Sequence, residues 1–189
     1  MTTRNALVLF AAAPLLFASC LSKSPAIPLH TYVPPLDPID LRAAPGVRPL
    51  RFQGVEPRIE LRRGMIWRIS GTELVADEEH RWARDPSELL AERLGDLFYE
   101  GGGFRASLRP GDPSLDVALV ACEGDVREGR SAAVLELILT LESGDTQHRR
   151  RLRLEEPLLT RDAEGFAAAM GKAVSQAADR TEAWTRSKL

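Results

Sequence analysis

Two periodicities divide this chain: alternation with period two marks strands, and recurrence at three and four residues marks helices. Residues 47–55 read as a first strand, and 58–62 alternate cleanly, with Ile59 and Leu61 on one face against Arg58, Glu60 and Arg62 on the other. Residues 65–69, a Gly71-Thr72 turn and residues 73–79 continue as strands of an antiparallel sheet with one wet face. Further on, 115–123 is apolar on both alternating sets, which suits a central strand. Leu135, Leu137, Leu139 and Leu141 line one face of 132–141, opposite Glu136 and Thr140. Ser143-Gly144-Asp145 then turns the chain into 146–154, where Leu152 and Leu154 alternate with Arg149, Arg151 and Arg153, and Pro157 closes that strand.

The helical period appears twice. Asp85-Pro86-Ser87-Glu88 carries a cap acceptor, a proline at the first helical position and a carboxylate at the third, so a helix is expected to start at Pro86. Leu90, Leu94, Leu97 and Phe98 form its apolar face, and Gly101-Gly102-Gly103 ends it. The second stripe, Phe166, Met170, Ala173, Ala177, Thr181 and Trp184, spans about five turns and is built mostly of small residues. The order of elements predicts an α+β domain, with both helices packed on one face of a mainly antiparallel sheet.

His80-Arg81-Trp82-Ala83 sits between the fourth strand pattern and the first helix. Two readings of His80, Arg81 and Trp82 stay open: a structural corner with Trp82 packed between strand and helix, or a docking epitope with Trp82 exposed.

The first twenty residues have a different character. Arg4 leads an apolar run from Ala6 to Phe17, and Phe17-Ala18-Ser19-Cys20 follows. A run this short with small residues at its exit is a signal peptide and not a membrane span. Its ending resembles a bacterial lipobox, which implies cleavage after residue 19 and lipid attachment at Cys20. Residues 20–46 hold Pro25, Pro28, Pro34, Pro35, Pro38 and Pro45, so they are expected to form an extended, lipid-anchored linker. A leader packed along the domain, with contacts from Tyr32 and Val33, fits the same residues. The folded domain is placed at 47–189.

Composition adds exclusions. The 189 residues are 44% hydrophobic and 28% charged, ordinary for one globular domain, and the formal charge of -2 leaves no basic excess for nucleic acid. His30, His80 and His148 lie far apart and no CxxC or HExxH occurs, so no metal and no cofactor are expected. Cys122, in the central strand, reads as a buried thiol. Glu78-Glu79 and Glu123 with Asp125 read as solvated groups at strand ends, and no catalytic constellation emerges. Arg149, Arg150, Arg151 and Arg153 form the one basic concentration, read as an exposed strand face or as a surface for anionic lipid or a partner.

Taken together, the lipobox, Thr31-Tyr32-Val33-Pro34, Trp67-Arg68, Gly71, Glu73-Leu74, residues 80–83, the leucine-rich helix and Phe166 to Met170 resemble the ABC-type transport auxiliary lipoproteins. This is the PqiC/YmbA-like family, whose members accompany transporters with mammalian-cell-entry (MCE) domains. Where that family usually has an acid after the tryptophan-alanine pair, this chain has Arg84, with Asp85 one place later. The resemblance implies a non-enzymatic component anchored to the periplasmic face of the outer membrane. Its partners would be an MCE-domain transport protein and its ABC transporter; homo-oligomerisation stays open. The alternative is an unrelated periplasmic binding lipoprotein that regulates an envelope enzyme or assembly. Leu21, in place of an aspartate after the lipid site, resembles lipoproteins forwarded to the outer membrane.

Overall fold

The computed structural model describes residues 27–39, 48–58, 63–101 and 103–189. Its centre is the strand whose sequence was apolar on both sets, β6 (Ser114–Asp125). Along one edge β6 pairs antiparallel with β7 (Ala132–Ser143), and β7 pairs antiparallel with β8 (Thr146–Pro157). The other edge takes two strands end to end. β2 (Arg48–Pro57) runs parallel to the first half of β6, and β3 (Gly64–Arg68) runs parallel to its last residues, with Trp67 opposite Gly124. β4 (Leu74–Trp82) returns antiparallel to β3. Two three-residue strands complete the sheet: β1 (His30–Tyr32) lies parallel to the end of β4, and β5 (Phe104–Ala106) lies parallel to β2.

The fold is therefore α+β, and the long β6–β7–β8 meander makes most of the ladder antiparallel. The parallel pairings of β1, β2, β3 and β5 had no signature in the sequence. They arise because distant segments share the edges of β4, β6 and β2, and parallel pairing needs a crossover that local periodicity does not record. Residues 59–62, with Ile59 and Leu61, lie outside the described residues.

Helix α1 (Pro86–Asp96) starts where its cap signal stands, with the Asp85 carboxylate accepting from the Ser87 amide at 2.8 Å. The Ser87 hydroxyl also donates to that carboxylate, at 2.6 Å. One wide π-helical turn, Leu97–Gly101, extends α1 and buries Phe98. Helix α2 (Ala163–Lys188) starts at Asp162, whose carboxylate accepts from the Gly165 amide at 2.7 Å. Both helices touch each other and cover one face of the sheet. That face presents the leucines of β7 with Leu115, Leu119, Leu152 and Leu154. Each such side chain contributes on the order of 1.5–3 kcal/mol on burial.

The described part of the leader, residues 27–39, packs along the domain, the alternative left open above, with Tyr32 against the core and Val33 exposed. His30, Thr31 and Tyr32 pair in register with His80, Arg81 and Trp82, and the Ala83 amide donates to the Tyr32 carbonyl at 2.8 Å. The chain then crosses α2, where the Asp37 amide donates to Ser175 Oγ at 3.1 Å and Pro34 is buried. The crossing is close enough that a Cβ at Gly171 would lie 2.1 Å from the Pro35 carbonyl oxygen. Prolines remove donors from this leader, yet it needs few donors, because one edge pairing and one side-chain bond hold it.

Gly171→Ala therefore has two opposed effects. It improves helix propensity by roughly 0.5–1 kcal/mol while pushing the leader off α2. The melting temperature should change little, while exchange of the Ala83 amide accelerates; unchanged Ala83 protection would contradict the close crossing.

Candidate functional site

Trp82 is buried, its indole 5.1 Å from the ring of Phe166 at the start of α2. Trp67, from β3, reaches the same phenylalanine at 4.9 Å and lies so tightly over Gly124 that a Cβ there would be 2.5 Å from its ring. Residues 80–83 thus form a packed corner in which Trp82 points into the core and Arg81 points to solvent. His80 is half-buried, with its ring stacked on His30 at 5.6 Å and tilted against Tyr32 at 5.7 Å.

The organising polar group of this corner is Asp77. Its carboxylate accepts from the amides of Glu79 and His80, from Trp67 Nε1 at 3.1 Å and from His80 Nδ1 at 2.9 Å. These bonds fill the irregular stretch where the β3–β4 register shifts between Gly64 and Ile66. Partial burial pushes the Asp77 carboxyl up, but the bonds from Trp67, His80 and the two amides offset this and hold it below its ordinary value. Arg84 pairs with Glu92, and Asp85 is committed to the helix cap.

The sheet face away from the helices carries the second constellation. Arg68 grips Glu123 through two nitrogens at 2.5 and 2.9 Å. Asp125 takes Arg127 and Arg130, Arg130 reaches Glu155, Arg153 joins Glu155 to Glu136, and Arg151 closes on Glu136 at 2.6 Å. Glu123, Asp125 and Glu136 are at most 3% exposed, so Glu123 and Asp125 are not the solvated strand-end groups their positions suggested. Their cover is the arginine side chains themselves, laid over the sheet. The guanidinium of Arg127 holds the Asp125 carboxyl below the ordinary range, and Arg153 does the same for Glu155. Arg149 stands apart from this chain of charges. It lines an open groove of about 600 Å³ with Asp116, Ala118, Val120, Ile138 and Thr140. Burial, with Glu142 and Glu56 nearby, raises the Asp116 carboxyl.

Cys122 is buried against Met170, with 3.8 Å between the sulfurs, and burial pushes its thiol up to about 12. Cys20 lies outside the described residues. Among the described residues no three His, Cys, Asp or Glu side chains gather as metal ligands, and no helix is long and apolar enough to cross a membrane. The sequence pointed to residues 80–83 but missed Asp77 and the buried carboxylates. The one local signal was Glu136, an acid flanked by the apolar runs 132–135 and 137–139.

The model of the ABC-type transport auxiliary lipoprotein component family matches residues 59–181, most of the chain. The chain belongs to this family. No curated protein matches it. The solved structures similar to this auxiliary lipoprotein include a Xanthomonas campestris protein described as a DUF330 family member. It is 23% identical, with a TM-score of 0.69, covering 82% of this chain and 94% of the other. An uncharacterized protein of known structure is 18% identical, with a TM-score of 0.63 over 86% and 99% of the two chains. At these identities the similarity establishes the shared fold of the auxiliary lipoprotein.

Two outcomes test this geometry. Trp82→Ala should cost about 3–5 kcal/mol by leaving a cavity beside Phe166; a variant that melts with the wild type would show that the corner is not a packing site. Because the folded Asp125 carboxyl is depressed, its stabilisation is complete above the ordinary aspartate value of about 3.9 and is lost as pH falls through the folded value. The melting-temperature gap between wild type and Asp125→Asn should therefore be widest at neutral pH and shrink in acid. A gap that stays constant down to strongly acidic pH would refute the pairing with Arg127 and Arg130.

Proposed function

We propose that this auxiliary lipoprotein is anchored through Cys20 to the periplasmic face of the outer membrane, where it serves an MCE-type lipid transport system as a non-enzymatic docking component. The observation that carries the reading is the family match over 59–181 on a chain whose first twenty residues end in Phe17-Ala18-Ser19-Cys20. Several acyl chains on one residue give stable anchoring, since each buried methylene contributes roughly 0.8 kcal/mol. The site chemistry is in keeping with docking. The polar groups of the corner are spent on holding Asp77 in place, and those of the far face on pairing carboxylates with arginines. A groove with an apolar floor and walls of both charge signs is suited to a protein or lipid surface.

Mass spectrometry of the mature protein should find an N-terminus at Cys20 carrying lipid, and Cys20→Ala should leave a soluble or uncleaved chain. The MCE-domain protein should co-purify with the acylated form. An unlipidated N-terminus elsewhere overturns the anchor; intact lipidation without any MCE-domain partner overturns the transport role.

A further inference from the structure

The topology gathers three loops at one end of the domain. β3 and β6 run parallel and end together at Arg68 and Asp125, so the β3–β4 and β6–β7 turns open at the same end, joined by the Val126 amide donating to the Arg68 carbonyl at 3.0 Å. β8 ends opposite Ala132, which brings the loop into α2 to this end as well, with the Leu158 amide bonded to the Ser131 carbonyl at 3.0 Å. β1 is parallel to β4, so the leader enters the fold from the side of the β3–β4 turn.

The exposed apolar side chains follow this geometry. Of the eight large ones among the described residues, Ile69, Leu74 and Val75 flank the β3–β4 turn and Leu159 stands in the loop before α2. Ile27 and Leu29 lie in the entering leader. Leu159 is 88% exposed, a costly position for a leucine that touches only water. Single exposed apolar residues need no explanation, but four of the eight gathered around two neighbouring loops at one end of a sheet do. Val33 follows β1, and Leu108 sits in the loop before β6, at the opposite end.

We propose that this end of the domain rests on a phospholipid surface, with Leu74, Val75 and Leu159 entering the headgroup layer. The inference builds on the Cys20 anchor proposed above. Chain length supplies the constraint: from Cys20 to Ile27 there are seven residues, which reach at most roughly 25 Å when fully extended. Because the leader is docked on β4 and α2 from His30 onward, that length bounds how far the docked domain can stand from its anchor. The end where the leader enters is thereby held at the membrane, and the β7–β8 turn is directed away from it. The charge pattern selects the lipid. Arg127, Arg130 and Arg161 share this end with Glu73, Glu128 and Asp162, and Arg127 and Arg130 are already paired. A rim of mixed sign is suited to zwitterionic headgroups and gains little from an anionic surface.

The test uses the acylated full-length protein in nanodiscs of phosphatidylethanolamine and phosphatidylcholine. An environment-sensitive probe is attached at Val75→Cys, Leu159→Cys or Leu108→Cys, with the buried Cys122 thiol left unlabelled, as a protein without an added cysteine verifies. Lipids with brominated acyl chains should quench the probes at positions 75 and 159 several-fold more than the probe at 108, and the first two should shift to the blue. Equal quenching at all three positions, or quenching only at 108, overturns the orientation, as does a protein that is acylated and travels with the discs but keeps positions 75 and 159 in water. A chain that carries no acyl group and stays off the discs overturns the anchor, and the orientation with it.

Discussion

Phe166 between the indoles of Trp67 and Trp82 is the contact on which the rest of the domain depends. It joins three elements that are remote in sequence: the start of the last helix, the strand β3, and the corner between β4 and α1. Ring pairs at such distances add about 0.5–1.5 kcal/mol each beyond the area they bury. The geometric consequence is larger than that energy. Trp67 can reach Phe166 only because β6 carries a glycine at position 124, and Trp82 can do so only if the chain turns into α1 at once, as the Asp85 cap enforces. A single aromatic cluster thus sets the register of β3 on β6 and the angle at which α1 leaves the sheet.

Asp77 supports this cluster from outside. Its carboxylate takes a hydrogen bond from Trp67 Nε1 and fixes the irregular segment of β4 that would otherwise expose unpaired amides. His80 is held by the same acid, and β1 then stacks His30 on it, so the docking of the leader is downstream of the order in this corner. Sheet, corner and leader form one chain of dependence.

The other face of the sheet solves a different problem. With both helices on one side, no described element lies over the far face, yet three carboxylates there are almost fully shielded. Arginine stems cover them, and each guanidinium satisfies the oxygens it hides. Removing one partner of such a pair costs more than the pair contributes, because the charge left behind stays shielded and unpaired. The arrangement maintains a flat, charged surface without a second helical layer, and it leaves the neighbouring groove, with Val120 and Ile138 at its floor, open to a partner.

The sequence alone determined whatever rests on local periodicity and local capping. The alternation in β6, β7 and β8, the apolar stripes of both helices, the Asp85 cap and the α+β order are short-range properties, each written within about a dozen residues. Burial of Cys122 followed for the same reason, since an apolar run of this length marks the central strand, and the side chain meets Met170 of α2. Tertiary structure alone decided the rest. β1 and β5 are three residues long, too short for any period, and exist only because β4 and β2 offer them an edge. Glu123 and Asp125 read as solvated acids because their surroundings are set from a distance: Arg68 lies 55 positions from Glu123, on a strand that reaches it only through parallel pairing. The leader's path over Gly171 is likewise a contact between chain ends, and steric fit between segments more than a hundred residues apart leaves no local mark in either one.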